Sequence, residues 1–436
     1  MNTGGARIVS ISNNGVKMCA AAARISTTDG GAIKAMERGD GGEKDLKLIK
    51  KVVASGHKTI LEHLSFTIAF HDVSVLAEQG LIEFRLASYT VKSRRYVDFS
   101  GAGYVTPASL SAEMGAIYKE NMDARFEDYR KLLALGVARE DARFVLPYCF
   151  KSNFYMTLNA RELAHVIASM QYGRLSRYEE LKVIGESLNE QLKEIMGETD
   201  ISEKPSQAKF ASREKEIRFE PLHICSPEAE VVIQPEAPEK ALDYALRLTD
   251  RFDGENVIKQ LVKDARPREL EMLSYGFTVK NVSLSCVTHF TRHRMQSLIV
   301  PFVEEALTGG GYVLPQSVKA NKEANEIYEN AFKNNLENAK KMASLGADSA
   351  ILAYFALSGN TVDILFTMNA RELLHFMKLR TCTRAQWEIR DAANDMLVGL
   401  MESFPALFKH FGPSCAVNGF CPEGRLSCGR LQKTEE

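Results

Sequence analysis

Three consecutive basic residues in the second half of the chain could bind an anion. Arg292, His293 and Arg294 follow an apolar segment and lie where a helix is expected to end. Successive residues of a helix point in different directions, so all three can reach one ligand only at such an end. A bulky anionic ligand would satisfy their hydrogen-bond donors. A solvated helix end, favoured by the helix dipole, is the alternative interpretation.

A second cluster, rich in hydroxyl and guanidinium groups, lies in the first half of the chain. Ser93, Arg94 and Arg95 belong to the run from Ser88 to Tyr96. Hydroxyls and forked guanidinium donors match the oxygens of a phosphate group. The run therefore indicates a phosphate-binding loop, although an exposed turn with solubilising arginines would have the same composition.

The two clusters belong to two versions of one repeat. The sequence Asn-Ala-Arg-Glu-Leu at 159–163 returns at 369–373, and Tyr104 returns as Tyr312 with a proline three residues after each. Nearly constant offsets indicate a tandem duplication in which both copies share one fold. We call the earlier repeat copy one and the later repeat copy two.

Each copy has lost polar residues that the other retains. Copy one keeps Ser93, Arg95 and Arg143, where copy two has Phe302, Glu304 and Ala350. Copy two keeps Arg292, His293 and Arg380, where copy one has Glu83, Phe84 and Met170. These complementary losses predict one site assembled from both copies. A buried structural Arg380 paired with Glu388 is the alternative interpretation of that arginine.

The pattern of each copy combines strands and helices. Residues 64–70 alternate between apolar and polar, whereas residues 179–195 place apolar side chains at helical spacing. Both periods in one repeat predict an α+β fold with a small antiparallel sheet and long helices packed on it. The expected divisions are copy one at 1–205, a proline-rich linker at 206–238, copy two at 239–411 and a cysteine-containing tail at 412–436.

Composition excludes several classes of protein. The 436 residues are 45% hydrophobic and 25% charged, which is ordinary for a folded globular chain of two or three domains. A net charge of -1 argues against a broad nucleic-acid surface, so no nucleic-acid partner is expected. We find no basic-then-apolar leader and no bilayer-length apolar run, so we expect a cytoplasmic protein without a membrane partner.

Taken in order, these motifs resemble the flavin-dependent thymidylate synthases. The hallmarks of that family are Arg-His-Arg, a serine- and arginine-containing loop, Ala-Arg-x-x-Leu-Pro, and Asn-Ala-Arg-x-Leu continuing to Leu-Arg. The resemblance implies two copies of the family fold and reductive methylation of dUMP to dTMP. It implies FAD as cofactor, with NADPH and methylenetetrahydrofolate as co-substrates. The family forms homotetramers with sites between subunits, so a homodimer of this two-copy chain would mimic the tetramer.

The resemblance also assigns roles to residues. FAD contacts would come from Arg292, His293, Arg294, Asn369, Arg371, His375 and His63. Substrate contacts would come from Ser93, Arg94, Arg95, Arg143 and Arg380. Arg380 and Ser93 would be catalytic, because the arginine favours ionisation of the uracil N3. Val91 and Val300 stand where the family usually has an acidic residue, which leaves open another uracil-containing substrate, such as RNA, or a catalytically silent relative.

Four cysteines near the end of the chain suggest a metal site. Cys415, Cys421 and Cys428 lie in a glycine- and proline-rich tail, and Cys382 comes two residues after Arg380. Such a set could form a tetrathiolate zinc site or an Fe–S cluster that fixes the tail beside the active-site helix. Four free thiols are the alternative interpretation.

Overall fold

The computed structural model describes residues 4–26, 28–197, 201, 210, 216–252, 254 and 256–430. Two compact units are present. The first comprises Met1–Arg218 with Glu326–Ala356, and the second comprises Phe219–Asn325 with Leu357–Glu436. Among the described residues, no helix combines the length and apolarity that crossing a bilayer requires.

The strands and helices alternate in both units. The strands are β1 Gly5–Ile11, β2 Ser65–Ser74, β3 Ser88–Val91, β4 Lys151–Asn159, β5 His223–Cys225, β6 Glu228–Ile233, β7 Ser274–Ser283, β8 Gln296–Ile299, β9 Gly311–Val313 and β10 Thr361–Asn369. The helices before residue 197 are α1 Gly15–Ile25, α2 Ala32–Glu37, α3 Glu43–Ala54, α4 Val75–Ile82, α5 Ala112–Ala134, α6 Arg139–Ala142, α7 Ala160–Gln171 and α8 Glu179–Met196. The later helices are α9 Pro238–Thr249, α10 Val257–Lys263, α11 Leu284–Phe290, α12 Val303–Thr308, α13 Gln316–Lys319, α14 Lys322–Ser344, α15 Ser349–Leu352, α16 Ala370–Arg380, α17 Trp387–Ser403, α18 Pro405–Phe408 and α19 Ser414–Asn418.

Each unit contains a four-stranded antiparallel sheet with the same topology. The strand order is β1-β2-β4-β3 in the first unit and β6-β7-β10-β8 in the second, which also has a short parallel pair, β5-β9. Along β2 the side chains of Phe66, Ile68 and Phe70 are buried, as the alternating sequence predicts. The predicted α+β fold with small antiparallel sheets and long helices is therefore confirmed.

Both central strands end in the same irregularity. Asp72 in β2 and Asn281 in β7 adopt left-handed backbone angles, with φ of 53° and 55°. Asp and Asn tolerate this region better than most residues. The Asp72 N–H donates to Asn153 Oδ1 at 3.2 Å, and the Asn281 N–H donates to Asp363 Oδ1 at 2.9 Å. The duplication has thus preserved a β-bulge that turns the chain toward the next helix.

A serine at the end of each bulged strand caps that helix. Ser74 Oγ accepts from the N–H of Ala77, and Ser283 Oγ accepts from the N–H of Cys286, each at 3.0 Å. The Ser283 N–H and O–H in turn donate to Glu388 at 2.7 and 2.6 Å. Glu388 is therefore part of the helix cap in copy two. The corresponding pair in copy one is Ser74 and Glu180, with distances of 2.8 and 2.5 Å.

The predicted linker at 206–238 needs correction. Strands β5 and β6 lie inside it, and β6 pairs with β7 just as β1 pairs with β2. The second repeat therefore begins before residue 239. Three of the prolines that suggested a connector flank these strands: Pro221, Pro227 and Pro235. Proline is tolerated at strand ends because it removes no interior ladder hydrogen bond there. Residues 206–209 and 211–215 of the predicted linker lie outside the described residues.

The compact units do not coincide with the two copies. All of α14 after its first four residues, together with the segment to Ala356, belongs to copy two in sequence but packs in the first unit. Asn121 Nδ2 donates to Asn335 Oδ1 at 2.8 Å, and Arg125 Nη1 donates to the Ala331 carbonyl at 2.6 Å. These buried bonds join α5 to α14. The sequence boundary between the copies is therefore not the structural boundary.

Candidate active site

The three basic residues of copy two lie in a turn directly after α11. The His293 N–H donates to the Phe290 carbonyl at 3.0 Å, and Gln296 Nε2 donates to the same oxygen at 2.6 Å. Arg292 and Arg294 are exposed, whereas His293 is only 4% exposed. The helix does end here, as expected, and the turn separates two surface cations from one buried imidazole.

A chain of hydrogen bonds joins His293 to two residues of α16. His293 Nδ1 lies 3.0 Å from Glu372 Oε1, and Arg380 Nε donates to His293 Nε2 at 3.0 Å. Because a guanidinium can only donate, Nε2 must accept and the ring proton must lie on Nδ1, facing Glu372. Arg380 Nη2 also donates to the His289 carbonyl at 3.4 Å. The arginine is thereby held at two of its nitrogens.

The protonation state of His293 follows from its surroundings. Burial, the largest cause, lowers the pKa of His293; the hydrogen bond to Glu372 opposes this, and the charge of Arg380 lowers the pKa further. The net lowering keeps the imidazole neutral at pH 7. A neutral ring is what the bond from Arg380 requires.

Copy one retains only the carboxylate of this network. Phe84 replaces His293 and Met170 replaces Arg380, while Glu162 corresponds to Glu372. The Phe84 side chain cannot accept a hydrogen bond, and the Met170 side chain carries no charge. The Arg-His-Glu arrangement is therefore a property of copy two, and it was not visible from Arg-His-Arg alone.

The start of α16 holds two further predicted FAD contacts. Asn369 caps the helix by accepting from the Glu372 N–H at 2.9 Å, and Arg371 Nη1 donates to Glu271 Oε1 at 2.5 Å. The same contacts recur in copy one through Asn159, Glu162, Arg161 and Glu62. Both copies keep these bonds. The repeated Asn-Ala-Arg-Glu motif is therefore explained by two structural roles, the start of a helix and an ion pair.

Two histidines predicted near the flavin are exposed. His375 lies one turn after Glu372 on α16, and its ring centroid is 5.7 Å from that of His293. His63 ends the 3-10 helix Lys58–His63 of the first unit. Each presents an imidazole at the surface of its unit, and the second unit brings His375 to the His293 network.

The predicted phosphate-binding residues are linked through Glu140, a residue that sequence reasoning missed. Arg95 Nε donates to Glu140 Oε2 at 2.6 Å, and Arg143 Nε donates to the Glu140 carbonyl at 3.0 Å. The Arg95 N–H donates to Ser93 Oγ at 3.3 Å. Arg95 is about one-fifth exposed at 21%. The first unit thus brings Ser93, Arg95 and Arg143 together, with Glu140 partly balancing their charge.

Arg94 has a different environment from its neighbours. It is buried, and its Nη2 donates to Glu78 Oε1 at 2.9 Å. Copy two has Val287 and Val303 at the two corresponding positions. A buried ion pair in copy one thus stands where copy two has two apolar residues. Protein cores commonly tolerate the replacement of a buried ion pair by apolar side chains. The prediction that Arg94 binds substrate is therefore not supported, because its charge already compensates Glu78 inside the core.

The structure does not gather the four cysteines of the predicted metal site. All four are free thiols within the described residues, where no group of three or more His, Cys, Asp or Glu side chains could hold a metal ion. Cys428 is exposed, whereas Cys382, Cys415 and Cys421 are half-buried. The tail still packs on α16, since Ser414 Oγ donates to the Lys378 carbonyl at 3.0 Å. Hydrogen bonding, rather than the predicted zinc or Fe–S cluster, accounts for this contact.

Comparison with known proteins identifies the repeat. A family model described as thymidylate synthase complementing protein matches residues 7–196 and again residues 221–406. The chain belongs to this family. The double match confirms the recognised family and its two-copy arrangement, and it supports a second repeat that begins before residue 239.

Individual relatives of this family agree with that membership. The chain is 31% identical over 215 residues to the flavin-dependent thymidylate synthase of Clostridium tetani (strain Massachusetts / E88), covering 45% of this chain and 84% of that relative. It is 41% identical over 121 residues to that of Geobacter sulfurreducens, covering 27% of this chain and about half, 52%, of the relative. A solved thymidylate synthase X of Helicobacter pylori, with FAD and dUMP, matches at 21% identity and a TM-score of 0.36, covering 44% of this chain and 94% of that chain. At that score the structural likeness adds no argument to the family match.

Proposed function

We propose that the chain catalyses the reductive methylation of dUMP to dTMP, with methylenetetrahydrofolate as carbon donor, NADPH as electron source and FAD as cofactor. Membership of the family and the names of its relatives support this reaction class. The observation that carries the proposal is the Arg380–His293–Glu372 network of copy two. It supports the proposal because it holds an oriented guanidinium, the kind of group that stabilises negative charge on a pyrimidine ring.

Residues of the second unit suit an FAD molecule. Arg292 and Arg294 present exposed cations after α11, which match a pyrophosphate, and His375 adds an exposed imidazole beside His293. When bound, reduced FAD supplies the hydride that the methylation consumes. The contribution of the protein is to hold this cofactor and to orient the nucleotide against it.

Arg380 is the residue that we assign to the uracil ring. A guanidinium near N3 stabilises negative charge on that atom and makes C5 more electron-rich. Because Nε is bonded to His293 and Nη2 to the His289 carbonyl, the plane of the guanidinium is fixed before substrate binds. This pre-organisation is the contribution of His293 to the reaction, in addition to any contact with the cofactor.

Ser93, Arg95 and Arg143 are the residues that we assign to the nucleotide phosphate. They lie together around Glu140 in the first unit. A phosphate dianion brings more charge than the single carboxylate, so it is expected to draw Arg95 away from Glu140 on binding. We assign Ser93 to binding and orientation of the phosphate.

We infer from the complementary losses that a working site combines the phosphate-binding residues of copy one with the Arg380 network of copy two. A homodimer would allow the two contributions to come from different chains. The expected consequence is that neither copy is active alone. The relevant losses are Phe302 and Glu304 in copy two, and Phe84 and Met170 in copy one.

A mixing experiment tests this arrangement. Arg95→Ala and Arg380→Ala should each abolish tritium release from dUMP labelled at C5, while the exposed control Arg130→Ala keeps it. If a site takes the phosphate-binding residues from one chain and Arg380 from the other, refolding the two inactive variants together restores about a quarter of wild-type turnover. Half of the dimers then contain one chain of each variant, and one of the two sites in each such dimer carries both wild-type arginines. If mixing restores no activity, both sets of residues in a site come from the same chain. Full activity of either single variant would refute the composite site.

A different uracil-containing substrate is the second candidate. Val91 and Val300 occupy the place of the usual acidic residue, which favours a changed substrate pocket. Tritium release from uracil-containing RNA but not from dUMP would establish it. A catalytically silent relative would release tritium from neither substrate and would show no flavin absorption after purification and reconstitution with FAD.

A further inference from the structure

A cavity of about 390 Å³ in the first unit occupies the place that corresponds to the His293 network of the second. The end of α4, one face of α7 and the 3-10 helix Arg174–Arg177 form its walls. Its polar and aromatic lining residues are Glu83, Phe84, Arg85, Glu162, His165, Ser169 and Arg174. The volume is within the range of small-molecule sites.

Substitutions between the copies give this cavity a lining of its own. Glu83, Phe84 and Arg85 stand in the positions of the basic trio, and Gly80 stands in the position of the bulky His289. An added Cβ at Gly80 would lie 2.7 Å from Leu175 Cδ2, so the 3-10 segment packs directly against the glycine. The site has therefore been rebuilt, with its own wall, since the copies diverged.

The chemistry of the cavity differs in kind from that of copy two. Arg174 Nη1 donates to Glu83 Oε2 at 2.9 Å, with side-chain exposures of 29% and 24%. Burial raises the pKa of Glu83, and the charge of Arg174 opposes that rise. Arg85 and His165 are exposed, and the His165 ring meets the Phe84 ring edge-on at 5.6 Å. The lining thus offers cations, an aromatic face and two carboxyl groups, those of Glu83 and Glu162, within one small volume.

We propose that this cavity is a second ligand site and that it binds a nucleoside monophosphate. Arg85 and Arg174 match the phosphate, the Phe84 ring matches the face of a base, and Glu83 can accept a hydrogen bond from a ring N–H. Ser169 on α7 lies at the wall between these groups. The site is built from copy one with no contribution from Arg380 or His293, so it does not depend on the proposed reaction.

The test measures binding of dTMP by calorimetry on the full chain. Arg95→Ala serves as background, because it weakens the proposed substrate site. Ser169→Trp fills the cavity, and Ser187→Trp on α8, outside it, is the matched control. We expect dTMP to bind the background chain and the Ser187→Trp chain alike, and Ser169→Trp to weaken binding more than tenfold. Arg85→Ala, at an exposed position, should weaken it about tenfold.

Two comparison ligands identify the groups that are recognised. Thymidine lacks the phosphate and inorganic phosphate lacks the ring, so each should bind more weakly than dTMP. Equal affinity for thymidine and dTMP, or equal binding by the two tryptophan variants, would overturn the proposal. If the wild type shows no tritium release yet dTMP binding remains sensitive to Ser169→Trp, the proposed reaction fails and this second site stands.

Discussion

Replacing Glu372 by glutamine should slow turnover and change its pH dependence in a defined direction. Glu372 accepts the Nδ1 proton of His293 at 3.0 Å, which leaves Nε2 to accept from Arg380 at 3.0 Å. Glutamine keeps the shape but removes the charge. A charge-assisted bond becomes a neutral one, a loss of about 1.5 kcal/mol in the orientation of Arg380, or about tenfold in kcat/KM.

The pH profile separates this role from a purely structural one. The carboxylate raises the pKa of His293 against the stronger effect of burial, so removing it lowers that pKa further. The active form has neutral His293, which is lost as pH falls through the folded-state pKa. The acid limb of the kcat/KM profile should therefore move to lower pH in Glu372→Gln, while the plateau falls.

Copy one supplies a matched control for this measurement. Glu162→Gln changes the corresponding carboxylate of copy one, where Phe84 occupies the position of His293 and cannot accept a hydrogen bond from an arginine. Tritium release from labelled dUMP at several pH values should be unchanged in that variant. FAD content per chain, read from the visible spectrum, should be equal in both. An unchanged rate in Glu372→Gln, or an acid limb that moves upward, would refute the assigned role of His293.

Two stability measurements test the framework around the sites. Burial raises the pKa of Glu180 above its ordinary 4.5, so this carboxyl should make the free energy of unfolding fall as pH rises from that value through the folded-state pKa. Glu180→Gln should therefore make the fall less steep than in the wild type in urea titrations between pH 4 and 8. Asn335→Ala should lower the free energy of unfolding by about 2–4 kcal/mol in urea titrations, because the Asn121 amide and the Phe355 carbonyl each lose a buried hydrogen-bond partner. Asn334→Ala, at an exposed position, is the control, and a similar loss in that variant would contradict this reason.

The duplication could be predicted because short stretches of sequence recur at a nearly constant offset. The repeated Asn-Ala-Arg-Glu sequence revealed the duplication, and in the structure it begins α7 and α16, since an asparagine N-cap acts within three residues of itself. Alternating residues gave β2 in the same way. The early strands of copy two were harder to predict, because β6 is an edge strand between prolines and its pairing with β7 depends on residues far along the chain.

In the candidate site, too, some features could be predicted from the sequence and others could not. Substitutions between the copies singled out Arg380, His293, Arg95 and Arg143, because loss of charge or of a donor is visible residue by residue. The carboxylates that bind His293 and Arg95, Glu372 and Glu140, were not visible from the sequence. A similar carboxylate neutralises Arg94 within the core, and nothing in the spacing of its neighbours distinguishes it from Arg95.

The sequence alone determined that this chain is a pair of diverged copies with complementary polar residues, because covalent order preserves a repeat and its substitutions. Only the tertiary structure decided which cations are buried, which carboxylates hold them and that residues 326–356 pack in the first unit. Those outcomes depend on desolvation and on contacts between distant segments. A charge is compensated by whichever opposite charge the fold brings within hydrogen-bonding distance.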